Sequence, residues 1–98
     1  MDTLARVTQV QHLGGRRLSV TFDDGLVREL DFAGVLVGLL EALDDDDVFA
    51  SASVDRVAGT VRWANDIDLD PDVLHGNRSP ATGRRPALVR EYRLQQAG

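Results

Sequence analysis

The amino-acid sequence predicts an α+β fold: a three-stranded antiparallel meander, a helix packed on the sheet, a second β-hairpin and a short C-terminal helix. Three observations predict it. Leu18, Val20 and Phe22 alternate with Ser19, Thr21 and Asp23, the period of two of a half-buried strand. Asp24-Gly25 follows directly and reads as a two-residue hairpin loop, both positions favouring φ > 0. Leu36, Leu39, Leu40 and Leu43 then fall at i, i+3, i+4 and i+7, the apolar stripe of an amphipathic helix.

Each element has its own signal. Residues 6–12 read as a first strand, with Val7 and Val10 as apolar members, closed by Gly14-Gly15. The second strand is the alternating run through Phe22. The third spans residues 26–32, with Leu26, Leu30 and Phe32 on one face and Glu29 and Asp31 on the other. The leucine helix carries Gly34 and Gly38, each weakening it by up to about 1 kcal/mol relative to Ala. The aspartate run 44–47 ends it or opens a new turn, and Val48 and Phe49 return to the core. Residues 53–57 and 60–63 read as a second hairpin around Ala58-Gly59. Asp70-Pro71-Asp72 starts a short helix that runs to about His75. Asp70 caps free N–H groups there, Pro71 fits the first helical position, and Asp72 sits at the positive end of the helix dipole.

After Gly76-Asn77 the composition shifts. Residues 78–86 are rich in Arg, Pro, Gly and Ser and read as a linker. Residues 87–96 are expected to form a marginal last helix, with Leu88, Val89 and Tyr92 close together on it. The expected organisation is a single domain over residues 1–77 and an arginine-rich tail over 78–98.

The charge is unevenly spread. Up to residue 77 there are six arginines and fifteen Asp and Glu, giving −9; beyond it, five arginines and one glutamate give +4, for the net −5. An acidic body repels phosphate, which argues against nucleic-acid binding through the folded core. The basic tail suits an acidic partner or the chain's own body. Cysteine is absent, so disulfides, thiolate zinc ligands and thiol nucleophiles are excluded. The start of the chain has no signal-like apolar run, and the longest apolar stretch, residues 32–40, is too short to span a bilayer. A cytoplasmic protein is expected.

The segments RLSVTFDDGLVRELDF and VDRVAGTVRWANDIDLDPDVL, separated by the leucine-rich stretch, resemble the bacterial domain of unknown function 2442. The resemblance covers residues 7–75. Ala64 stands where that family usually has Pro, and Asp66 where it usually has Gly. The resemblance implies a small α+β fold and no established activity. It also implies a setting, since some members are joined to helix-turn-helix domains and others are encoded beside small proteins in toxin–antitoxin-like pairs.

No chemical motif is complete. Asp66, Asp68, Asp70 and Asp72 alternate, but a calcium loop counted from Asp66 would need Gly where Pro71 stands and Glu where Asn77 stands. His12 and His75 are the only histidines, too few for a zinc site without carboxylates. No nucleophile elbow and no phosphate-binding glycine loop occur. No catalytic residue, metal or cofactor is therefore assigned. Trp63 can serve as a core residue or stack on a ligand, and Asn65 can occupy a turn or bind a ligand; with Asp68 they form one candidate site. Leu88 and Tyr92 form the other, as partner contacts on the tail. The expected function is a protein-interaction module that binds another protein or a second copy of itself. The rival expectation is a ligand-binding or enzymatic site near Trp63, Asn65 and Asp68.

Overall fold

The N-terminal alternation is realised as three strands that share one buried face. The computed structural model describes residues 5–76 and 85–94. β1, Val7–Gly14, β2, Arg17–Phe22, and β3, Leu26–Asp31, pair antiparallel in sequence order. The β2–β3 connection is a three-residue loop, residues 23–25, and not the two-residue Asp24-Gly25 loop expected; the Gly25 amide donates to the Phe22 carbonyl at 3.0 Å. Gly25 alone of that loop takes the left-handed backbone, with φ 87°, as a three-residue hairpin with a glycine bulge requires. Leu18, Val20 and Phe22 of β2 are buried beside Leu26, Leu30 and Phe32.

The second layer closes over that face. The leucine segment is a 3-10 helix, Gly38–Leu43, and not the amphipathic α-helix the spacing predicts. Gly34 and Gly38 have φ of 80° and 61°, outside the right-handed helical region. The stripe still serves the core, since Leu36 and Leu43 are buried. The aspartate run opens a new helix, α1, Asp46–Ala50, in which the Asp45 side chain accepts from the amides of Asp47 and Val48, both at 3.0 Å. That arrangement puts the negative charge at the favourable pole of the helix. Phe49 on α1 is fully buried, 5.6 Å from the ring of Phe32 and 5.8 Å from that of Trp63.

β4, Ser53–Asp55, and β5, Thr60–Arg62, form the second hairpin as a separate two-stranded sheet. It borders the β1 edge: the Val7 amide donates to the Gly59 carbonyl at 2.8 Å, and Arg6 donates to the Arg56 carbonyl. α2, Pro71–His75, starts and stops as expected, with Asp70 accepting from the Asp72 amide at 2.8 Å and Gly76 at φ 96°. Asp72 does more than favour the dipole. It is 8% exposed and accepts from the Ala5 amide at 3.1 Å, tying the N-terminal end of the described chain to α2.

The expected helix over residues 87–96 is instead a strand, β6, Ala87–Arg93, antiparallel to β3 at the edge of the main sheet. The sheet order is β1-β2-β3-β6. Ten residues cannot hold a helix alone in water, whereas a strand laid on β3 gains ladder hydrogen bonds and suits Val89 and Tyr92. The end of the expected helix, residues 95 and 96, and the linker residues 78–84 lie outside the described residues. A register shift between Glu29 and Leu30 leaves Val89 as a bulge in β6.

Candidate functional site

The two candidate clusters part company in the structure. Trp63 is 2% exposed, and its indole Nε1 donates to the Phe49 carbonyl at 3.0 Å. Its ring is thus committed to the core. Asn65 is exposed, and its side-chain oxygen accepts from the Ile67 amide at 3.4 Å. The positive φ in this turn belongs to Asp66, at 66°, the position where Gly is usual in the resembling family. Asp68 is exposed, and its backbone bridges to Arg62. Trp63, Asn65 and Asp68 therefore share one turn, closed by the Trp63 amide on the Ile67 carbonyl at 2.9 Å. The tryptophan ring is the member of the three that points inward. Among the described residues no three His, Asp or Glu side chains converge as metal ligands.

Leu88 and Tyr92 lie on β6. All seven residues of that strand are exposed. Leu88, Val89 and Tyr92 are 48%, 47% and 38% exposed, and Leu94 just beyond is 54% exposed. The register puts Leu88 opposite Leu30, on the core side, and Tyr92 opposite Val27, on the reverse side. Val27 is 3% exposed and stands apart from the main core cluster. The helix expected from the sequence would have set Leu88 and Tyr92 side by side; the strand sends them to opposite faces.

Charged side chains add to the ladder that joins β6 to β3. Arg28, 14% exposed at the side chain, lies under it, with Nε 3.0 Å from Glu91. That contact is an ion pair rather than an aligned hydrogen bond. Arg28 Nη1 also donates to the Leu74 carbonyl of α2 at 2.7 Å. Arg93 donates to the Asp24 carbonyl at 3.2 Å, and Arg90 is 3.7 Å from Glu29. The Arg90 guanidinium also stacks 4.7 Å above the Tyr92 ring. The basic tail does touch the chain's own acidic body.

Asp24 is the hub of the loop beneath β6. One oxygen accepts from the Leu26 amide at 3.0 Å, and the other lies 2.8 Å from His75 Nε2. The His75 ring meets Phe22 edge-on at 4.7 Å. Partial burial alone would raise the Asp24 carboxyl; the Leu26 amide, and then His75 and Arg93, outweigh it and hold the group below the usual carboxylate range. Sequence reading missed Asp24, His75 and Arg28 as a set, because they are distant in sequence and no spacing signals them. Leu94 was missed but had a signal, since it stands two residues beyond Tyr92, the spacing of one strand face.

A groove of about 580 Å³ lies on the far side of the sheet, between β1 and β4. Its lining is mostly amide and hydroxyl side chains, among them Gln9, Gln11, Ser19, Thr21 and Ser53, with Arg56 as its one charged member. Among the described residues no helix is long and apolar enough to cross a membrane.

Comparison with known proteins gives one match. A family model described as a protein of unknown function (DUF2442) matches residues 7–79. β6, at Ala87–Arg93, lies past the matched stretch. No curated protein and no solved structure matches significantly.

Proposed function

The chain belongs to the DUF2442 family of proteins of unknown function, and on that premise we propose that it is a non-enzymatic protein-interaction module. Its contact surface is the outer edge of β6. The observation that carries this reading is a seven-residue edge strand with every residue exposed and three large apolar side chains among them. Among the described residues no further strand pairs with β6 on its outer side, and such an edge offers a row of N–H and C=O groups as a template for a further strand. The other edge of the same sheet, at β1, is bordered by the β4–β5 hairpin. An accessory role in a pair of small proteins fits such a module. The alternative, a ligand site at Trp63, Asn65 and Asp68, has less support, since the aromatic ring it would use is in the core.

The test blocks the edge without touching the core. Leu94 donates its amide to the Gly25 carbonyl of the β2–β3 loop at 2.8 Å. Alternation along a strand then turns the Arg93 amide outward. Arg93→Pro removes one outward donor, and proline is tolerated where an edge N–H faces solvent. Affinity capture with the wild-type chain should retain a defined protein, either another copy or a second species, and Arg93→Pro should lose it. Equal capture by both would remove β6 from the interface.

A further inference from the structure

We infer that the occupant of the β6 edge is β6 of a second copy of this chain, paired antiparallel about a two-fold axis with Tyr92 opposite Tyr92. This rests on the reading of β6 as the contact surface and adds both the partner and the register. The argument starts from which backbone groups are free. With the Leu94 amide directed at Gly25, Tyr92 and Arg90 also face inward toward β3, and Glu91 and Arg93 face outward. The ladder is regular over this stretch, because the bulge at Val89 lies before it.

A two-fold axis that relates antiparallel neighbours in one sheet runs perpendicular to the sheet. Each residue then meets a residue on the same face, so the axis must pass through a residue paired with itself. Four centres are available after the bulge. An axis at Arg90, Glu91 or Arg93 would set a like charge directly against itself, which destabilises an antiparallel pair. An axis at Tyr92 does the reverse. Glu91 of each copy then faces Arg93 of the other, and both are outward-facing residues that exchange their N–H and C=O bonds. Two opposite-charge pairs and four main-chain hydrogen bonds form from one short overlap.

The side chains on the reverse face agree. Tyr92 on the axis falls in a non-hydrogen-bonded pair, where side chains come closest. Arg90 already stacks on Tyr92 of its own strand at 4.7 Å. Self-pairing thus produces a row of guanidinium, ring, ring and guanidinium across the axis, with aromatic and cation–π contacts along it. The product is one eight-stranded sheet with β1 at each outer edge. The charges that favour this register also disfavour slipped ones, so the strand selects its own copy over an arbitrary strand.

The experiment uses the full chain. Sedimentation over a concentration series should show wild type self-associating. Arg93→Glu and Glu91→Arg should each lose association alone, and a one-to-one mixture of the two should regain it, since both cross-strand pairs are then opposite in charge again. The register is read separately by cysteine, which the chain otherwise lacks. A non-hydrogen-bonded pair has its Cα atoms about 4.5 Å apart, within the range of about 4.4–6.8 Å that a disulfide spans. Tyr92→Cys should oxidise to a covalent dimer, and Arg90→Cys, whose two copies are far from the axis, should not. If Glu91→Arg fails to fold beside Arg28, as Trp63 fluorescence would reveal, the cysteine pair still decides. A wild type that stays monomeric, association indifferent to the charge reversals, or equal cross-linking at positions 90 and 92 overturns the self-pairing. A monomer whose Arg93→Pro variant still loses a different captured protein overturns the second copy alone and leaves the interaction module standing. A monomer whose capture is unaffected removes both.

Discussion

Trp63 shows how one residue's chemistry narrows its role. Its only polar atom is satisfied inside the core by the Phe49 carbonyl, so the ring is fixed by packing and by one hydrogen bond. Trp63→Phe keeps an aromatic ring, loses the donor and leaves a small void. The expected loss is about 1–3 kcal/mol, measured by urea denaturation. Asp70 caps α2 through its bond to the Asp72 amide. Asp70→Ala should lose about 1 kcal/mol, and Asp70→Ser much less. Asp24 carries a pH signature. Its carboxyl titrates below the ordinary range in the folded chain, so its stabilisation is complete above the unfolded-state value and is lost as the pH falls through the folded one. Urea midpoints of wild type and Asp24→Asn should therefore differ most near neutrality and converge in acid. A constant gap across the series would remove Asp24 as the source.

At the scale of elements, the legible parts were those whose two environments differ. β2 buries one face and solvates the other, so its burial leaves a period of two in the sequence, and the short helix from Pro71 announces itself through Asp70 and ends at Gly76. β6 buries neither face. An edge strand of that kind has no periodic burial to imprint, and Leu88, Val89 and Tyr92 could be read at helical spacing. The leucine stripe misled for a different reason. Its spacing was helical, but Gly38 at φ 61° starts the turn outside helical geometry, and only a 3-10 segment follows. Of the candidate site, Leu88 and Tyr92 were legible by their apolar excess on a polar tail, while the Asp24–His75 and Arg28–Glu91 contacts join residues too far apart in sequence to be paired by pattern. The expected boundary at residue 77 can be tested on the chain itself. Every residue of the main buried cluster lies at or before Leu74, so a chain cut after Gly76 is expected to fold. It should lose the β3–β6 cross-strand pairs, each contributing about 0.2–1 kcal/mol. Retained Trp63 emission with a lower urea midpoint is the expected result; an unfolded spectrum would extend the domain to β6.

For the whole molecule, the core is one cluster spanning sheet, α1, α2 and the second hairpin, and Phe49 sits where they meet. Phe49→Ala should cost about 3–5 kcal/mol, a large part of the roughly 5–15 kcal/mol typical of a whole domain, and thermal unfolding would measure it. Arg28 adds a property of a different kind. It is a single side chain with one nitrogen on the last turn of α2 and another against Glu91 of β6. A strand bound at the edge that fixed Glu91 would also fix the guanidinium that grips the Leu74 carbonyl. Thermodynamic reciprocity then requires the converse: a change that loosens the end of α2 must weaken occupancy of the edge by the same factor. The end of α2 is in this sense an input to the edge, and the protection against hydrogen exchange of the Gly76 amide, which donates to the Asp72 and Val73 carbonyls, becomes a gauge of whether the edge is filled.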